Sequence, residues 1–174
     1  MTLQQTDFDR ETGLPRWGCM FVSLVVGAWR AANDTDPTHD DIMRVYLDCR
    51  QAVTPKWVRG VQVGVVPVLE MTNHDTHEIY VNNPTDVITK ALSYTNNGWR
   101  GVQHPDLGTK VPYQYPRDYK LTYTLIHFKR LSASGHWTLG DRAGFNVIYD
   151  PCENLGVDGW SRSGSWRGIR IWRV

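Results

Sequence analysis

Apolar side chains recur at Phe21, Leu24, Val25, Ala28 and Trp29, the three-and-four spacing that gives a helix one buried face. The segment Arg16-Trp17-Gly18-Cys19-Met20 leads into this series, so Cys19 is predicted to lie in the first helical turn. The polar stretch before it ends in Gly13-Leu14-Pro15 and reads as an extended lead-in. After the turn cluster Asn33-Asp34-Thr35-Asp36-Pro37, a second helix is expected, capped by Asp36 ahead of Pro37 or by Thr38 with Asp41 three residues on. Its inner face is Ile42, Val45, Tyr46 and Cys49, continuing as far as Val53. A third helix opens at Pro84-Thr85, buries Val87, Ile88, Ala91 and Leu92, and stops at Asn96-Asn97-Gly98.

The intervening and later segments follow other patterns. Residues 61–69 have strand composition, but Gly64 and Pro67 argue against a regular central strand. Residues 99–117, rich in glycine and proline, read as a long loop of the kind that carries function. The C-terminal third reads as a β-meander: residues 121–128, then 136–139 after the turn Ser132-Ala133-Ser134-Gly135, then 145–149 after Asp141-Arg142-Ala143-Gly144. His136 then starts the middle strand and Asp150 ends the next. In the tail, residues 160–173, basic and aromatic residues alternate, as expected of an edge strand with one buried and one charged face. The competing reading of that alternation is a nucleic-acid groove.

Composition narrows the function classes. A chain of 174 residues supports one domain, and 41% hydrophobic with 21% charged residues is an ordinary globular balance. A net charge of +1 gives no basic excess for nucleic acid. No run of apolar residues is long enough to span a membrane, and the N-terminal residues lack the basic and apolar regions of a secretory signal, which predicts a cytoplasmic protein without membrane insertion. Three cysteines without CxxC spacing suggest neither a disulfide framework nor a zinc site. Eight tryptophans and eight tyrosines suit a cleft for peptides or sugars as well as a core.

The candidate chemistry centres on Cys19. Unpaired N–H groups and the positive end of the dipole at a helix start favour a thiolate. Adjacent meander strands bring His136 and Asp150 together, so the carboxylate can orient the imidazole while the other ring nitrogen serves the thiol. The other titratable groups read as structural. Cys49 falls on an apolar stripe, Cys152 lies after a strand with no helix start beside it, Asp141 occupies a turn away from the cleft, and His127 sits on the preceding strand. His74 and His77, with Asp75 and Glu78, lack a third ligand at a recognisable spacing and read as a solvated loop.

The ordered series Gly18-Cys19, Thr124-Leu125-Ile126-His127, Gly135-His136-Trp137-Thr138-Leu139 and Val147-Ile148-Tyr149-Asp150-Pro151 resembles the papain-like cysteine peptidases. It is most similar to the compact bacterial and phage branch related to bacteriocin-leader processing (double-glycine) peptidases. The resemblance covers both ends of the chain and hardly touches residues 54–117. It implies one α+β domain of papain-like architecture over residues 1–174, with N-terminal helices carrying the cysteine packed on a C-terminal antiparallel sheet. It also implies thiol-protease chemistry: Cys19 as nucleophile, His136 as base and then acid, Asp150 as orienting group, and no metal or organic cofactor. The substrate would be a peptide, a protein or a peptidoglycan peptide, and the family flavour is that of a phage or prophage product acting in the cytoplasm or on the virion. The backbone N–H of Cys19 would give one oxyanion hydrogen bond. Family members take the second from a Gln about six residues before the Cys, where this chain has Gly13. That departure leaves Arg16, Trp17 and Gln5 as candidate donors, and it sets against the enzyme an alternative, an inactive papain-like scaffold that binds or inhibits a partner.

Overall fold

In the computed structural model, which describes residues 3–104, 119–130, 133–152 and 161–173, the lead-in is not extended. It forms two 3-10 turns, Gln5–Asp7 and Arg10–Thr12, and then helix α1, Leu14–Trp17. Pro15 lies in the first turn of α1, where its missing N–H costs nothing. Helix α2, Cys19–Asn33, follows after the single residue Gly18, and the predicted inner face Phe21, Leu24, Val25, Ala28 and Trp29 is buried. Helix α3, His39–Gln51, is capped by Thr38 and not by Asp36: the Thr38 hydroxyl accepts from the Asp41 N–H, and the Asp41 carboxylate accepts from the Thr38 N–H. It ends two residues before Val53, which begins a strand.

Residues 53–81 form two hairpins. Strand β1, Val53–Val58, and strand β2, Val61–Pro67, pair antiparallel across the two-residue turn Arg59-Gly60. Both turn residues have positive φ, at 50° and 77°, as a type I′ hairpin requires. Gly64 and Pro67 interrupt no strand: the register shifts beside Gly64, and Pro67 closes β2. This ribbon is open to solvent, with Val53, Trp57, Val61, Val63 and Val65 all exposed. Strand β3, Leu69–Asn73, pairs with β4, Glu78–Val81, and buries Leu69, Ile79 and Val81. Helix α4, Pro84–Ser93, has its expected inner face of Val87, Ile88, Ala91 and Leu92.

The main sheet contains β5, Trp99–His104; β6, Tyr119–Arg130; β7, Ala133–Gly140; β8, Val147–Tyr149; and β9, Ser161–Arg173, in the order β5-β9-β6-β7-β8. The meander β6-β7-β8 is present as predicted. Two readings are corrected. Residues 99–104 are a strand, not the start of a loop, because they pair along their length with β9; the remainder of that proposed loop, 105–117, lies outside the described residues. The tail strand β9 is interior, not an edge, since β5 and β6 bond to its two sides. The core joins α2, α3, α4 and the β3–β4 hairpin to one face of the sheet through Leu125, Leu139, Tyr149, Ile169 and Ile171. The chain is therefore an α+β arrangement with helices packed against an antiparallel sheet. Among the described residues no helix is long and apolar enough to cross a membrane.

Candidate active site

Cys19 is the first residue of α2 and is half-buried. The residue before it, Gly18, has no side chain with which to cap the helix, and the first amide of α2 to find its carbonyl is Val22, bonded to Gly18 at 2.9 Å. The Cys19 N–H has no backbone acceptor among the described residues. An unoccupied donor beside the thiol at the positive end of a helix suits developing negative charge.

His136 lies three residues inside β7, not at its start as the turn Ser132–Gly135 suggested, because the strand already begins at Ala133. β8 pairs with β7 so that Tyr149 faces Leu139, and the next residue, Asp150, falls diagonally across from His136 on the same face. The His136 Nε2 to Asp150 Oδ1 distance is 2.7 Å, and both side chains are largely buried. The same carboxylate oxygen accepts the Cys152 N–H at 2.9 Å, which fixes its direction. With Nε2 committed to Asp150, Nδ1 is the nitrogen left for Cys19, and His136 is hydrogen-bonded to that residue. Burial pulls the imidazole pKa down, but the hydrogen bonds to Asp150 and Cys19 and the charges of both outweigh it, and the pKa is pushed up to about 9. At neutral pH the ring is an imidazolium held between a carboxylate and a sulfur. Three residues separated widely in sequence are thus brought into one line.

The oxyanion candidates fare differently. Gly13 has φ 76°, and a Cβ built there would run into the carbonyl oxygen of His77. A glutamine, or any other side chain, is therefore excluded at position 13. Arg16 is exposed and stacks its guanidinium 5.0 Å from the centre of the Trp17 ring. Trp17 is half-buried, and its indole N–H is buried with no acceptor among the described residues. Gln5 is buried and its Nε2 donates to the Pro15 carbonyl at 2.9 Å, so this donor is already committed.

The remaining residues are placed as follows. His127 stands opposite Trp137 with ring centroids 4.5 Å apart, and a side chain at Gly135 would strike its ring. Gly135 is thus the residue that lets β7 pass His127 on the way to His136. Asp141 binds the turn it sits in, accepting from the Phe145 N–H and the Asn146 amide, and takes no part in the site. Cys49 is buried on α3, where desolvation pushes its thiol up to about 12. Cys152 is buried. His77 ends the β3–β4 connection with φ 56°, and among the described residues no three His, Cys, Asp or Glu side chains are grouped to hold a metal ion. Pro15 and Pro151, whose carbonyls both meet Gln5, carried no local signal of their part in the site, because their contacts are made across the fold.

Comparison with protein-family models, curated proteins and solved structures finds no match.

Proposed function

We propose that the chain is a cysteine hydrolase of papain-like type that cleaves a peptide or isopeptide amide through a thioester. The observation that carries this reading is the hydrogen-bonded line from Asp150 Oδ1 through the His136 ring to Cys19, with His136 protonated at neutral pH. In the proposed reaction the Cys19 sulfur adds to the carbonyl carbon and the carbonyl oxygen takes the negative charge. His136 then gives its proton to the departing amine, and in the second half-reaction it takes a proton from the water that opens the thioester. Asp150 keeps the ring oriented through both. The oxyanion is received by the Cys19 N–H, which no backbone carbonyl among the described residues occupies.

Alkylation of Cys19 by iodoacetamide, followed by peptide mass spectrometry across pH, tests the proposal. The wild type is expected to react below pH 7, with the rate in His136→Ala falling at least about 10-fold at the same pH. A Cys19 that reacts only near the free-thiol value of about 8.5, and identically in the two proteins, overturns it. The alternative, an inactive scaffold that binds a partner, is favoured by one observation, the glycine at position 13, and would be the reading left standing.

A further inference from the structure

We propose that Gln5 is a positioning residue of the oxyanion site, its amide holding the Pro15 carbonyl so that the Cys19 N–H is kept available for the oxygen of a reacting carbonyl. The proposal rests on the cysteine-hydrolase reading above.

Helices α1 and α2 are almost one helix. The Trp17 N–H bonds to the Gly13 carbonyl at 2.9 Å and the Gly18 N–H to the Leu14 carbonyl at 3.0 Å. The next member of the series would be Cys19 N–H to the Pro15 carbonyl, and that bond is missing; the pattern resumes at Val22. In its place the Pro15 carbonyl accepts from Gln5 Nε2 at 2.9 Å. A second tie holds Gln5 in this position: its backbone N–H donates to the Pro151 carbonyl at 2.7 Å, in the turn that follows Asp150. The Tyr149 hydroxyl donates to the Leu3 carbonyl at 2.7 Å on the other side of Asp150. The segment thus joins the wall that carries Asp150 to the turn that precedes Cys19.

The choice of residue supports a role beyond packing. Gln5 is 2% exposed, and its Oε1 is buried with no partner among the described residues. An apolar side chain of the same volume would fill the space without an unpaired carbonyl. What only the amide supplies is the donor to Pro15. Without it, the Pro15 carbonyl is free to capture the Cys19 N–H and close the helix through Gly18, which withdraws the donor from the site.

The test compares two reagents on Gln5→Met, which is isosteric and lacks the donor, and on Gln5→Glu, which lacks it at neutral pH. With p-nitrophenyl acetate, the Cys19 sulfur bonds to the carbonyl carbon and the carbonyl oxygen becomes anionic. Collapse then breaks the ester C–O bond, releasing p-nitrophenolate and leaving an acetyl thioester. With iodoacetamide, sulfur displaces iodide at a saturated carbon, and no oxyanion forms. The variants are expected to acylate at least about 10-fold more slowly than the wild type while alkylating within about twofold of its rate. Acylation that is unchanged, or that falls in proportion to alkylation, overturns the role given to Gln5. A wild type in which Cys19 neither alkylates nor acylates overturns the hydrolase reading itself. Amide hydrogen exchange in the wild-type protein gives a check that needs no variant. The Cys19 amide is expected to exchange at least about 100-fold faster than the Val22 amide, and comparable protection of the two overturns the proposal.

Discussion

His136 stays protonated in the folded chain over a pH range in which an unfolded histidine is neutral. The thermodynamic sign follows from which state holds more protons. The folded pKa, about 9, is above the ordinary 6.5, so between those values the folded state binds the extra proton. The contribution to stability is therefore fully present below about 6.5 and is lost as pH rises through about 9. Calorimetry is expected to show the unfolding midpoint falling by several degrees between pH 7 and pH 9, with a clearly smaller fall in His136→Ala. Equal slopes in the two proteins would mean that the imidazolium is not held by its neighbours. Gly13 makes the complementary point that a missing residue is not always a loss to be repaired. Its positive φ and the adjacent His77 carbonyl leave no room for a side chain, so Gly13→Gln is expected to destabilise the fold by about 1–3 kcal/mol and to leave activity no higher. Urea unfolding and the acylation assay together check this, and a stable, more active variant would show that position 13 is open to a donor.

At the scale of elements, what was legible in the sequence was what is local. The stripe from Phe21 to Trp29, the Thr38–Asp41 box and the Pro84 start of α4 each announce themselves within one or two turns, and all three are present. The meander was legible because its strands follow one another, and with it the pairing of His136 with Asp150. The elements missed are those whose partners lie elsewhere in the chain. β5 reads as a loop until β9 is laid beside it, and β9 reads as an edge until β5 covers its far side. In β2, Gly64 and Pro67 argue against a regular central strand, and the strand is indeed one of only two in its sheet, with a register shift beside Gly64 and its end at Pro67. Gln5 was legible only as a candidate donor, and its engagement with Pro15 and Pro151 is a property of the assembled fold.

Among the described residues, the β1–β2 ribbon exposes apolar side chains that packing within the fold does not cover. Val61, Val63 and Val65 are 62%, 56% and 60% exposed on β2, and Val53 and Trp57 are exposed on β1. Apolar exposure of this kind promotes association, and because the ribbon packs on little, polar substitution costs little. Val63→Lys is expected to leave the unfolding midpoint within about 2 °C of the wild type and to raise the concentration at which light scattering first appears. A large loss of stability would show that the ribbon is packed in solution.

The order of strands in the sheet has a consequence for how the molecule is made. β9 follows the other four strands of its sheet in the chain, yet it occupies the second position in the sheet, between β5 and β6. Until it emerges, the nascent chain carries two strands with unsatisfied backbone edges and a helical layer whose apolar face has only part of its cover. Folding must then finish by inserting one long segment between two waiting neighbours. Such a topology favours slow completion and a reliance on factors that shield unfinished edges during synthesis.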